Sequence, residues 1–234
     1  MEIAKRKTSF LKDLFVSQIE EMILSEKLKI GDKLPSEREL AETMQVSRAV
    51  INSGMVELDR KGFLRTVPRV GNFVADFKSN GNVETLTTMM DYNGGVIPND
   101  GVKSVFEVRI ALTTLALKLL IPKITDAEID ELGILVEEIA KATNSHDTSE
   151  ASFAFIHRMV LLSGNILIPL IFTAFKSPVM TLGERYCDLY GLEAAYEKSR
   201  KLLKYISERD IEGAVEWLEY SINSSINGDK QIYY

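Results

Sequence analysis

The chain has 234 residues, 45% of them apolar, and its 28 Lys/Arg against 34 Asp/Glu leave a net charge of −6 at pH 7. A single cysteine, Cys187, excludes an internal disulfide framework and a cysteine-based zinc finger. No run reaches the roughly 20 consecutive apolar residues of a membrane span; Val160–Phe175, the nearest, is interrupted by Ser163, Gly164, Asn165 and Pro169.

Lys5, Arg6 and Lys7 precede neither a long apolar stretch nor a small-residue cleavage site, so the amino terminus does not read as a signal peptide and the expected location is cytoplasmic. These three side chains either lie along an anionic polymer backbone or form a charged terminus. Residues 8–26 predict an amphipathic helix with Leu11, Leu14, Phe15, Ile19, Met22 and Ile23 on one side. Ser36 and Glu39 then have capping-box spacing, opening a short helix whose apolar face is Leu40, Ala41 and Met44. Gln45 and Val46 break it, and Ser47 is placed to cap a second helix. Ile51, Met55 and Leu58 fall at i, i+4 and i+7 and turn inward, so Arg48, Ala49, Asn52 and Ser53 point outward. Gly62 ends that helix. Two β-prone runs follow, Phe63–Val67 and Val70–Ala75, pinched by Pro68, Arg69 and Gly71. Three helices and a hairpin make a winged helix-turn-helix, whose second helix of the motif has the size to enter a major groove.

Charge is divided to match. Residues 1–78 hold 14 basic against 12 acidic side chains, and residues 79–234 hold 14 against 22. Phosphate neutralisation depends on such local charge, not on the total. The expected domains are therefore 1–76, a DNA-binding unit, a polar linker at 77–82, and 83–234.

The remainder reads as helices with short connections: Val83–Tyr92, Val102–Leu120, a helix capped by Thr125 and running to Ala142, Glu150–Gly164, Ile166–Phe175, one from Pro178 to Gly191, Leu192–Glu208, and Ile211–Ile226 capped by Asp210. Loops are expected at 94–101 and 144–149, with a loose tail at 227–234. The fold class is mostly α, an amino-terminal winged helix-turn-helix followed by an all-α antiparallel bundle.

No catalytic constellation is present: no serine has a GxSxG context, Cys187 has no fixed histidine partner, and no glycine loop has phosphate-binding spacing. The chain is not expected to be an enzyme. Polar groups do stand on mostly apolar helices, and Arg109, His157, Asn165, Arg185 and Tyr186 are the candidates for ligand contact. Arg109 either pairs with Glu107 or another acid or offers its planar fork to a carboxylate or phosphate. His157 is a satisfied core histidine or a ligand, Asn165 a helix-end residue or a ligand. Arg185 and Tyr186 face either the interior or the surface.

The LPSEREL run at 34–40, the VSR step at 46–48, the Leu64-Arg65 step and the GNFV wing at 71–74 resemble the DNA-binding domain of the GntR superfamily of bacterial regulators. The FEVR step at 106–109, the SGN step at 163–165 and the order of helices resemble the FCD effector domain of its FadR subfamily. Glu84–Tyr92 and the run from Ser163 to Tyr186 look closest to the fatty-acid regulator branch. The resemblance implies a homodimer on a pseudo-palindromic double-stranded DNA operator, and a repressor whose affinity responds to a small anionic effector of carboxylate or acyl type. Binding of that effector would change the spacing of two DNA heads. The DNA contacts it implies are Arg38, Ser47, Arg48, Ala49, Asn52, Arg69 and Gly71.

The chain departs from the family in three places. Ala49 and Val50 stand where Thr-Thr is common, Asn52 where an arginine is, and Arg69-Val70-Gly71 where the wing often reads Gly-x-Gly. The first two bear on the operator sequence, and the third puts a charge where a minor groove could hold it. The metal-binding positions of the subfamily, an Asp and three His, correspond to Phe153, His157, Ser199 and Ser221. One donor of four is left, so neither a metal nor another cofactor is expected. Two rivals stand beside this reading. A winged-helix protein-interaction adaptor has no need of Arg38, Arg48 and Arg69 on a groove-facing side, and a helical enzyme with a DNA-binding appendage lacks a nucleophile.

Overall fold

The structure is a computed structural model that describes residues 2–96 and 99–232, with side chains from residue 10 onward except at 93, 99 and 100. The side chains of Lys5, Arg6 and Lys7 lie outside the described residues. The chain divides into two compact units, Met1–Tyr92 and Asn93–Tyr234.

The first unit runs α1 (Glu2–Leu24), α2 (Glu37–Met44), α3 (Arg48–Arg60), β1 (Leu64–Val67), β2 (Gly71–Val74), α4 (Phe77–Asn80) and α5 (Val83–Asp91). At the start of α2 the Ser36 hydroxyl accepts from the Glu39 amide at 3.3 Å, while the Glu39 carboxylate accepts from the Ser36 amide at 2.8 Å. The Ser36 amide, and after it the Ser36 hydroxyl, hold the Glu39 carboxyl below the usual carboxylate range. Gln45 ends α2 at φ 54, in the left-handed region, and Ser47 caps α3 by accepting from the Val50 amide at 3.3 Å. The turn between the helices is thereby fixed by local chemistry. Behind it, Phe15 and Ile23 of α1, Ile51 and Leu58 of α3, and Phe63 and Val74 of the hairpin form a core. Each such side chain contributes roughly 1.5–3 kcal/mol through burial. α1 and α3 meet closely at Gly54, where an added Cβ would lie 2.3 Å from the Phe15 ring. Leu14 and Met22, expected inward, are exposed, and Val16 takes the buried position beside Phe15.

The stretch 77–82, expected as a linker, holds the short helix α4, and Phe77 is buried against Phe63 with ring centroids 5.4 Å apart. α5 is then latched to the end of α3. The Asn82 side-chain amide donates to the Arg60 carbonyl at 2.9 Å, and the Thr85 hydroxyl donates to the Lys61 carbonyl at 2.6 Å. These bonds satisfy carbonyls that a helix end leaves orphaned, and the division falls after Tyr92 instead.

The second unit contains α6 (Asn99–Leu120), α7 (Asp126–Lys141), α8 (Ser145–Leu162), α9 (Ile168–Ala174), α10 (Lys176–Tyr190), α11 (Leu192–Ser207) and α12 (Ile211–Asn227). α8 is central, packing against α6, α7, α9, α10 and α11, and α12 closes the bundle against α6 and α11. Thr125 and Glu128 form the expected capping box of α7. The loop expected at 144–149 is helical, because the Asn144 side chain accepts from the Asp147 amide at 2.9 Å and starts α8 at Ser145. The tail is not loose through 232. Its backbone amides at Lys230 and Ile232 donate to the carbonyls of Ser224 and Ser225, and Ile232 is buried. Arg185 Nε and the Tyr190 hydroxyl bind the carbonyls of Ile232 and Gln231 at 2.9 and 2.7 Å.

Candidate nucleic-acid interface and effector cavity

The first unit presents α3 with Ser47, Arg48, Ala49, Asn52 and Ser53 exposed, and its buried face made of Val50, Ile51, Gly54, Met55 and Leu58. Arg48 stands on the first turn of the helix. Among the described residues no carboxylate lies within ion-pair distance of Arg48, Arg65 or Arg69. Arg38 is paired with Glu42 at 2.8 Å on α2, and Asn52 donates to Glu37 at 3.2 Å, which ties the two helices together across their outer face. Both contacts are exposed and weak enough to exchange for another partner.

The wing is set by register. Leu64 pairs with Val74, Arg65 with Phe73, Thr66 with Asn72 and Val67 with Gly71. Between the strands the Val70 amide donates to the Val67 carbonyl at 3.0 Å, with Pro68 second in the turn and Arg69 third at φ 64. A proline followed by a positive-φ residue is the pattern of a type II turn, whose third position favours glycine or asparagine. Arg69 holds it against a cost of about 1–2 kcal/mol. Arg69→Gly is therefore expected to stabilise the first unit slightly while lowering the log–log salt slope of DNA binding by about 0.9 per head. Thermal melting and salt titration read the two effects, and an unchanged slope would remove Arg69 from the interface. Arg65, also exposed on the wing, and Lys33, bridged to Phe73, are basic positions that the sequence reading passed over. Their signal was the alternation that turns Arg65 away from buried Leu64.

In the second unit a cavity of about 120 Å³ lies among α6, α8, α10, α11, α12 and the tail. Arg109, Tyr186 and Lys198 line it together with hydroxyls and apolar side chains, and its lining contains no carboxylate. Arg109 is half-buried; its Nε is fully enclosed and makes no hydrogen bond, and burial draws its pKa down to about 10. The expected Glu107 partner is absent for a geometric reason: Glu107 is exposed and pairs with Lys103 at 3.8 Å on its own face of α6. The Tyr186 hydroxyl is likewise enclosed without a hydrogen-bond partner, and burial pushes it up to about 12.

Lys198 was not foreseen. Its ammonium donates to the Ser225 hydroxyl at 3.2 Å and sits 3.9 Å from the centre of the Tyr186 ring. Burial, then the nearby charges of Arg109 and Lys230, bring its pKa down to about 7. The signal was legible in α11, where a lysine interrupts the stripe of Ala195, Ser199, Leu202 and Ile206.

Three expected ligand residues lie elsewhere. His157 is not in the cavity lining; its Nε2 meets the Thr173 hydroxyl at 3.2 Å on the far side of Phe153, and burial with the Lys176 charge lowers its pKa. The Asn165 side chain accepts from the Leu167 and Ile168 amides at 2.9 and 3.2 Å and so shapes the start of α9. Arg185 holds the tail at the Ile232 carbonyl. Phe153, Ser199 and Ser221 do line the cavity, but their groups do not make the three or four donors that a transition metal takes. Among the described residues no cluster of His, Cys, Asp or Glu could hold a metal ion.

Comparison with known proteins decides the family. Residues 14–74 match the bacterial regulatory proteins of the gntR family, and residues 104–224 match the FCD domain. The chain belongs to the GntR family, in its FCD branch. It is 28% identical over 165 residues to the uncharacterized HTH-type transcriptional regulator YcbG of Bacillus subtilis, a match that covers 70% of this chain and 66% of that protein. It is 26% identical over 185 residues to the fatty acid metabolism regulator protein of Shewanella sp. strain ANA-3, covering 78% and 73%. Its matches to YcbG and to LutR of Bacillus subtilis span about two thirds of those proteins' lengths. Among solved structures, Lar, described as controlling expression of the Listeria monocytogenes agr system, aligns with a TM-score of 0.60 over 93% of each chain at 15% identity, a likeness of fold. The family model is one of bacterial regulatory proteins, and these relatives carry the names of transcription regulators. Among the described residues no helix is long and apolar enough to cross a membrane.

Proposed function

We propose that this GntR-family regulator acts in the cytoplasm as a homodimeric repressor on a pseudo-palindromic DNA operator, and that a small organic anion in the second unit's cavity weakens operator binding. The DNA half is supported by the capped two-helix turn that presents Arg48, Ala49 and Asn52 on one exposed face, with Ser47 at the helix start and Arg69 and Gly71 on the wing. Arg38 stands on α2 as a phosphate contact. The proposed domains are the winged helix-turn-helix, extended through α5, and the helical effector domain from Asn93.

The observation that carries the effector half is Arg109, whose Nε is enclosed and unbonded in a cavity whose lining has no carboxylate. A buried charge left unpaired is costly, and an anionic ligand supplies the missing partner. The relatives' names point in different chemical directions, one of them to fatty acid metabolism. A cavity of about 120 Å³ is slightly smaller than the roughly 150 Å³ cavities that take up benzene. It favours a short carboxylate over a long acyl chain.

Selection of duplexes from a randomised library with the full-length protein tests the DNA half. The expected result is an inverted repeat with half-sites about 10 base pairs apart or a multiple of it. Binding without enrichment of any sequence would favour the adaptor reading.

A further inference from the structure

The cavity carries two basic side chains, not one. Arg109 comes from α6 and Lys198 from α11, and the Arg109 charge is close enough to help drive the proton off Lys198. Donors are left over on every side. Arg109 Nε and the Tyr186 hydroxyl have no partner, and an ammonium with three protons gives one to Ser225. Two like charges in one small cavity repel, and a single negative charge answers only one of them. The volume, about 120 Å³, admits a ligand of roughly four to seven non-hydrogen atoms on the scale of benzene-sized cavities.

We propose that this cavity binds a small dianion, a short dicarboxylate or a phosphate group, with one anionic end on Arg109 and the other on Lys198. The assignment rests on the reading of this cavity as the effector site and narrows it to a ligand class. The titratable and charged groups that face Lys198 are Arg109 of α6, Tyr186 and Cys187 of α10, and Asp229 and Lys230 of the tail. α8 and α12 contribute hydroxyls, Ser149 and Ser152 from one and Ser221 and Ser225 from the other. With the cationic neighbours outweighing Asp229, Lys198 stands close to neutral at pH 8 until an anion arrives. Binding of a dianion then restores the ammonium, so the protein takes up a proton as it binds.

Isothermal titration of the full-length protein at pH 8 tests this, with malonate, inorganic phosphate and acetate as probes in two buffers of different ionisation enthalpy. A dianion is expected to bind about tenfold or more tighter than acetate. The buffer dependence of the heat is expected to report uptake of about one proton per site, falling towards zero at pH 6. Preference for malonate over phosphate, or the reverse, names the source of the dianion. Arg109→Met and Lys198→Met should each lower affinity about tenfold or more, and Lys198→Met should abolish the proton uptake. The buffer dependence of the unmodified protein holds even if a variant fails to fold. Equal binding of acetate and the dianions, no dianion binding at 10 mM on the order of metabolite levels, or proton uptake that survives Lys198→Met overturns the proposal. The same samples on operator DNA separate the two readings. Dianion binding that leaves operator affinity unchanged supports the site and sinks its effector role. A monocarboxylate that releases DNA where no dianion binds supports the effector role and sinks this ligand class.

Discussion

Arg48→Ala is expected to weaken operator binding about ten- to a hundredfold at each half-site, with the melting of the first unit unchanged. Arg48 is the first residue of α3, exposed, and held at the helix start by the Ser47 cap. In helix-turn-helix proteins it is the amino-terminal part of the second helix that reaches base edges. A bidentate arginine–guanine pair supplies about 1–3 kcal/mol of discrimination, and a two-fold complex loses it twice. Arg38 and Asn52 should cost less on removal. Arg38 must first leave Glu42, and Asn52 must leave Glu37, so part of what they gain on DNA offsets an exposed contact of about 0.2–1 kcal/mol. Arg48 gives up no such partner. Fluorescence anisotropy on the selected duplex and on a scrambled one reads the effect. Equal loss on both duplexes would make Arg48 a phosphate contact, and no loss on either would place α3 outside the groove.

The first unit was legible because its signals are local. Ser36 with Glu39, and Ser47 before an i, i+4, i+7 stripe, name two helix starts from side-chain chemistry within four residues. What failed there failed for tertiary reasons. The polar, glycine-containing stretch after Asp76 looks like a linker until Phe77 is seen in the core and Asn82 and Thr85 on the end of α3. A similar limit governs the second unit. Helix positions followed from periodicity, and Asn144 was a cap that composition could have suggested. Which polar residues meet inside was not available from spacing, because it depends on how α6, α10 and α11 pack. Arg109 and Tyr186 converge, whereas His157 lies behind Phe153 and Asn165 is consumed by the start of α9. Lys198 does not stand out in the sequence, since its helix is rich in charge. Its place on the stripe with Leu202 and Ile206 was the sign that it turns inward.

The second unit should become more stable as pH rises from 7 to 8.5, against the usual flatness of that range, and Lys198→Met should remove the effect. The sign follows from proton counting. Lys198 has a folded pKa of about 7, below its ordinary 10.5. Between those values the unfolded chain holds a proton that the folded chain has released, so unfolding takes up protons and stability increases with pH. Below pH 7 the group is charged in both states and the full penalty of burial is present. The gain from pH 7 to 8.5 is about 1.5 kcal/mol. Exposed His146 runs the other way, since Glu184 raises its pKa and that stabilisation is lost as pH rises through the raised value. Cys187, pushed up to about 11, enters only as pH passes 9. Both groups remain in Lys198→Met, so the difference between parent and variant isolates the lysine. The one tryptophan, Trp217, reports the right unit, because its indole donates to the Lys198 carbonyl at 3.1 Å and it lines the cavity. Thermal melts followed by its fluorescence should give a parent midpoint that climbs with pH and a variant midpoint that starts higher at pH 7 and stays level or declines. Parallel curves for the two proteins would mean that Lys198 is solvated and that the cavity holds one cation.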